Sequence, residues 1–246
     1  MSSAPKTPPT RSTYRHGDLR RALLEAGVEL ARAGGPEAVV LREATRRAGV
    51  APNAAYRHFE NRQALLYSVR SAALAAVARA MEAELAALPQ DLPPAEFARA
   101  NVRAVGAGYL RFAQAETGLF RTAFGPSDDL QQRAQGAPAD PERKGQSGLD
   151  PFELLGAALD KLVAAGVLPP ERRPGAEFLA WSAVHGLAML ALEGPLRDLP
   201  PGAVDELAPR LVRMVDLGLG LGGGAPAAAP PDPSPAGVAP ADGSPT

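Results

Sequence analysis

Apolar residues in this chain recur every three to four positions and nowhere alternate with polar ones, a spacing that restricts the chain to helices. Leu19, Ala22, Leu23, Ala26 and Leu30 fall on one face of a run that Gly34, Gly35 and Pro36 end. Shorter helical runs follow over 41–48 and 52–58, separated by Gly49, with Pro52 at the first helical position, where a missing N–H costs nothing. The next run, 62–87, carries Leu66, Ala73, Val77, Met81, Leu85 and Leu88 along one stripe, and a helix of that span is about 39 Å long. Pro93 and Pro94 open a helix reaching about Ala115, and 118–124 reads as a short continuation after a break.

The second half follows the same period. Residues 125–148 are polar and rich in helix breakers, so they read as a loop. Asp150 and Glu153 have capping-box spacing at the start of a helix that buries Phe152, Leu155, Leu159 and Leu162 and stops at Gly166. The stretch 176–193 is apolar nearly all round, which predicts cover on both sides. A last helix lies within 203–219, where Pro209 either kinks it or starts it. The fold class is all-α: a flexible arm (1–13), a small N-terminal domain (14–61), a helical body (62–221) and a low-complexity Pro/Ala/Gly tail (222–246).

Charge separates the two domains. Residues 1–62 hold eleven Lys/Arg against six acids, +5, which leaves −6 for the remainder of a chain whose net charge is −1. A basic segment on an acidic body suggests a polyanion as partner of the first part alone. Cysteine is absent, so neither disulfides nor thiolate metal sites are expected, and no cofactor is. No apolar leader segment and no run of about 18 uncharged apolar residues is present, which points to a cytoplasmic protein without a membrane span. Three histidines and no clustered carboxylates argue against an enzyme; the one candidate constellation, His185 with Glu193 or Asp216, has nothing in the sequence to bring it together.

Two short helices around a glycine, behind an amphipathic helix, meet the demands of a helix-turn-helix. Ala44 and Ala48 give the second helix a small inner surface, Gly49 permits the turn, and Val50 can plug the core. Short side chains at the start of the third helix let its backbone lie deep in a major groove. Tyr56, Arg57 and His58 then stand where phosphates flank that groove, while Phe59 points inside. His16 and His58 read as surface or phosphate-contacting groups rather than metal ligands, and Arg46 and Arg47 as a solvated face.

The stretches YRHGDLRRALLEAGVELARAGGPEAV, LREATRRAGV and AYRHFENRQALL resemble, in order and spacing, the N-terminal domain of the TetR family of bacterial transcriptional regulators. The resemblance implies a homodimer that reads a near-palindromic DNA operator and usually represses. Carried over by position, Arg42, Pro52, Asn53 and Ala54 face base edges or groove walls. Tyr56, His58 and Arg62 bind phosphate, Arg62 standing where the family usually has lysine. Val40 and Ala51 depart from the pattern: they occupy helix-start positions where the family has Ser or Thr, and each missing cap costs about 1 kcal/mol.

In the body, YLRFAQAETGLFRTAF (109–124) and FLAWSAVHGLAML (178–190) resemble the C-terminal domain of a TetR subgroup named for a Trp-His-Gly motif, here Trp181, His185 and Gly186. That resemblance implies a small-molecule cavity and a last pair of long helices that joins a second copy as a four-helix bundle. Tyr109, Phe112, Phe120, Phe124, Phe152, Leu159, Trp181, His185 and Met189 would line the cavity, and the effector would be mostly apolar. Ala183, Leu187, Leu190, Leu211 and Val215 would form the dimer interface. For Trp181 and His185 three readings stay open: a core tryptophan with a histidine bonded to a carbonyl, direct ligand contact, or the interface. A ligand-independent architectural DNA-binding protein and an activator of the same fold are the rival functions.

Overall fold

The computed structural model describes residues 16–125, 140–200 and 202–219, and every regular element among them is helical. The expected arm, the outer ends of both expected domains, most of the expected loop and the tail lie outside the described residues.

Helices α1 (His16–Gly34), α2 (Leu41–Arg47) and α3 (Pro52–Ala55) form the N-terminal unit. Leu23, Leu30 and Ala31 of α1 are buried, with Ala44 of α2 and Ala55 of α3 in the same core. A one-turn 3-10 helix over Pro36–Ala38 fills the α1–α2 link, and Val39 behind it is fully buried. The turn between α2 and α3 is closed by two crossed bonds, Val50 N–H to the Thr45 carbonyl (3.1 Å) and Gly49 N–H to the Arg46 carbonyl (3.3 Å). Those are the two bonds of a Schellman motif, and they need a left-handed residue, which Gly49 supplies at φ +67°. Neither Val40 nor Ala51 caps its helix through a side chain. The third helix is shorter than its spacing predicts. It ends at Ala55, whose carbonyl accepts from both His58 N–H and Phe59 N–H at 2.9 Å, so 56–58 form a turn.

Helix α4 (Arg62–Ala86), capped by the Asn61 side chain on Ala64 N–H (2.9 Å), runs from the headpiece through the body. Among the described helices it alone is long and apolar enough to cross a membrane (mean hydropathy 1.2), yet 61% of that window is buried, as befits a central helix. Helix α5 (Pro94–Ala115) packs on it backbone to backbone at Gly108, where a Cβ would lie 2.6 Å from Met81 Cα. Helix α6 (Thr117–Phe124) breaks from α5 at Glu116 and turns back onto α1 and α4. Its Gly118 meets α1 so closely that a Cβ would stand 2.3 Å from the Ala31 carbonyl oxygen.

Helix α7 (Pro151–Ala164) starts with the full capping box: Asp150 accepts from Phe152 N–H and Glu153 N–H, and Glu153 accepts from Asp150 N–H, all at 2.9 Å. Helices α8 (Ala176–Leu192) and α9 (Ala203–Gly218) complete the body. Pro209 lies inside α9 rather than starting it, and it is exposed, where water can serve the carbonyl left without a donor. Within one copy 176–193 is covered on one side: Phe178, Leu179 and Leu190 of α8 are exposed, as are Met214 and Leu217 of α9.

Candidate functional site

The residues expected to meet a duplex lie on the headpiece. Arg42, Asn53, Tyr56 and Arg57 are exposed, Ala54 and His58 are half-buried, and Pro52 opens α3. Tyr56 is 59% exposed while Phe59 is 2% exposed, as a surface tyrosine and a core phenylalanine should be. The Arg20 guanidinium lies over the Phe59 ring, 5.4 Å from its centre. Arg46 and Arg47 both pair with Glu43, and hydrogen bonds from Arg46, ahead of those from Arg47, hold that carboxyl down at about 2. Arg62, expected at a phosphate, is exposed and also bonds within the chain. Its Nε donates to the Val39 carbonyl (2.8 Å) and an Nη to the Pro36 carbonyl (2.6 Å), so it ties the start of α4 to the α1–α2 link.

In the body, α4, α5, α6, α7, α8 and α9 line a cavity of about 330 Å³. Five of the nine predicted lining residues reach it: Tyr109, Phe124, Phe152, Trp181 and His185. Phe112, Phe120, Leu159 and Met189 do not. Leu159 lies one turn past Leu155, and Met189 one turn past His185, both beyond the cavity's end. Phe120 is fully buried behind the wall, edge-on to Tyr109 with centroids 5.2 Å apart and 4.9 Å from Phe124. Phe112 is packed into the core.

Several wall residues carry no recognisable signal in the sequence. Leu74 and Met81 belong to the buried stripe of α4, indistinguishable there from ordinary core. Arg143 enters from the polar loop stretch, through a 3-10 turn over Pro141–Arg143 that periodicity does not reveal. Asp150 comes with the start of α7, which its capping box marks in the sequence.

The expected interface set also divides. Leu190 is exposed, whereas Ala183 and Leu211 are half-buried. Leu187 is buried in the core and Val215 lines the cavity, because the α8–α9 pair turns those faces inward. The large apolar side chains turned outward are Phe178, Leu179, Leu190, Met214 and Leu217.

A polar relay crosses the cavity wall. Trp181 Nε1–H donates to the Tyr109 hydroxyl oxygen (3.2 Å), which lies 2.7 Å from His185 Nδ1. The histidine thus bonds a hydroxyl, not the carbonyl expected of a packing residue. Burial pushes the Tyr109 hydroxyl far up and the His185 imidazole down, so both are neutral near pH 7. The charged wall residues are answered nearby. Buried Arg143 stands 3.7 Å from Asp140 and over the Tyr67 ring at 5.3 Å, and the Asp150 carboxylate caps α7.

Two elements join this cavity to the headpiece. Helix α4 runs from Arg62 to the wall residues Leu74 and Met81. Helix α6 places Phe124 on the wall and Gly118 on α1, and Glu116 at its start pairs with Arg32 of α1 at 2.8 Å. The buried Arg70 of α4 donates to the Thr122 carbonyl of α6 at 3.1 Å, linking the two.

Comparison with known proteins agrees with this geometry. Residues 23–69 match the profile of the bacterial regulatory proteins of the tetR family, and residues 102–215 match that of the tetracyclin repressor-like C-terminal domain. No curated protein matches the chain. Among solved structures, one from Rhodococcus sp. RHA1, described as a protein of unknown function, is 26% identical, covers 85% of this chain and 98% of its own, and superposes with a TM-score of 0.63. A putative TetR-family transcriptional regulator from Mesorhizobium loti MAFF303099 is 15% identical over 83% of this chain and 98% of its own, with a TM-score of 0.58. A TetR variant from Acinetobacter baumannii AYE in complex with minocycline is 17% identical over 82% and 90%, with a TM-score of 0.51. The last two likenesses are of fold alone. The C-terminal match carries no subgroup name, so the narrower Trp-His-Gly resemblance rests on Trp181, His185 and Gly186 themselves. With a helix-turn-helix headpiece and a cavity-bearing helical body each matched in its own stretch, the chain belongs to the TetR family of transcriptional regulators and is a DNA-binding regulator rather than an enzyme.

Proposed function

We propose that this chain is a cytoplasmic, homodimeric repressor that holds a near-palindromic operator and is released from it by a small, mostly apolar molecule bound in the body. The observation that carries the reading is that the cavity wall and the headpiece share α4 and α6. A ligand that displaces Phe124 or the α4 wall acts on the two helices against which α1 is packed. On the DNA side, Arg42, Pro52, Asn53 and Ala54 meet the groove, and Tyr56, Arg57 and His58 meet phosphates. Arg62 sets the angle between headpiece and α4. The bare apolar face of α8 and α9, with Leu179 65% exposed, supports pairing with a second copy.

In the dimer the two recognition segments stand about 34–36 Å apart, one turn of the duplex. Ligand favours a different spacing, and by linkage the operator must weaken ligand binding by the same factor. The test is a footprint on DNA upstream of the protein's own gene at several salt concentrations, repeated with candidate ligands. A protected near-palindrome that ligand releases supports the proposal. Salt-sensitive binding with no preferred site overturns it in favour of an architectural role. Equal ligand affinity with and without operator overturns the release mechanism.

A further inference from the structure

The relay on the cavity wall fixes where its last proton sits. Trp181 is a donor only, so the Tyr109 oxygen accepts from it. Tyr109 is 3% exposed, and its recorded polar partners among the described residues are Trp181 and His185. The tyrosine's own proton therefore has one acceptor, His185 Nδ1, at 2.7 Å. A neutral imidazole that accepts at Nδ1 carries its proton at Nε2. His185 lines the cavity, and no acceptor for Nε2–H is found among the described residues.

The surrounding wall restricts what can accept that proton. Phe124 lies 5.4 Å from the His185 ring centre, Trp181 lies at 5.4 Å, and Phe152 lies 6.0 Å from Trp181, an arrangement that suits a flat apolar body. Arg143 faces Asp140 from the chain itself, and Asp150 on the same wall is spent on capping α7. An anionic ligand would thus lose its hydration without gaining an unanswered cation. At about 330 Å³ the cavity is also near the small end of ligand sites, which run from ~300 to 1,000 Å³.

We propose that the effector is a small, neutral, largely aromatic molecule bearing a hydrogen-bond acceptor such as a carbonyl, and that His185 Nε2–H donates to it. Tyr109 is the positioning residue that sets the histidine's tautomer. The inference rests on the cavity being the effector site, and it names the chemistry read there.

Three probes of like size separate the possibilities in the full-length protein: acetophenone, ethylbenzene and benzoate, titrated calorimetrically. The expected result is that His185→Phe, which keeps a ring in place, lowers the acetophenone-to-ethylbenzene affinity ratio by about five- to tenfold, the worth of one hydrogen bond. Benzoate binds the wild type more weakly than acetophenone. Nitrogen-15 spectra of the free protein show His185 protonated at Nε2, and Tyr109→Phe turns that signal into a mixture of tautomers. An unchanged ratio in His185→Phe, tighter binding of benzoate, or a proton on Nδ1 overturns the inference. Ethylbenzene binding with an unchanged ratio overturns this inference alone and leaves the cavity reading standing. Failure of all three probes to bind overturns both.

Discussion

Replacing Gly118 by alanine tests the contact through which the body touches the headpiece. An added Cβ would stand 2.3 Å from the Ala31 carbonyl oxygen, 2.4 Å from that of Arg32 and 2.9 Å from the Arg32 carbonyl carbon. All three are backbone atoms, so no rotamer change relieves the clash. Ordinary contact begins at 3.4 Å, and α6 must therefore back away from α1 by about 1 Å. Overpacking costs about 1–3 kcal/mol, here about 2–3 because the clash is with fixed backbone, and alanine's preference for the helix offsets ~1 kcal/mol. The net loss is about 1–2 kcal/mol, which for a chain of this size lowers Tm by roughly 2–8 °C. Thermal denaturation at one fixed protein concentration measures it, since a dimer's Tm depends on concentration. Gly156→Ala is the control: its Cβ would meet only Arg173 Nη2 at 3.5 Å, so that variant should hold or gain stability. The response of operator affinity to ligand should also shrink in Gly118→Ala. A variant that melts at or above the wild type would refute the close approach of α1 and α6.

Ala51→Ser supplies the cap that α3 lacks and should stabilise by about 1 kcal/mol; an unchanged melting point would show that solvent already serves that helix start. Leu179→Glu puts a charge on the bare face of α8 and should leave the helix content intact while shifting sedimentation to the monomer, whereas a dimer that persists would move the interface elsewhere. Acid should loosen the clasp between the 140–150 segment and α4. Burial raises the Glu82 and Asp140 carboxyls, but hydrogen bonds outweigh it, from Ser147 and Gln146 on Glu82 and from Ser71 and Glu142 N–H on Asp140, so both lie below their ordinary values. Groups held down in this way contribute stability that is present above the unfolded values near ~4 and is lost as pH falls through the folded ones. Denaturant midpoints should drop on acidification below about pH 4, and Glu82→Gln should flatten that dependence.

What the sequence alone determined is whatever a local rule governs. The 3.6-residue period placed α1, α4, α5, α7 and α8 to within a few residues, and Asp150 with Glu153 marked a cap that forms in full. The missing side-chain caps at Val40 and Ala51 were equally plain, because capping depends on one residue and its own helix. The tertiary structure decided which apolar residue faces what. Phe120 and Phe124 sit one helical turn apart in the same motif, yet one is sealed behind the wall and the other lines the cavity, since the rotation of α6 depends on Gly118 meeting α1. Leu187 and Leu190 divide between core and solvent in the same way, by the angle at which α8 meets α9. Arg62, a cation in a basic segment, bonds two carbonyls 23 and 26 residues away. His185 gains its meaning only when Tyr109, 76 residues earlier, is brought within 2.7 Å. Periodicity records burial against something; only packing distinguishes a core, a partner and a ligand, because all three present the same apolar surface to one helix.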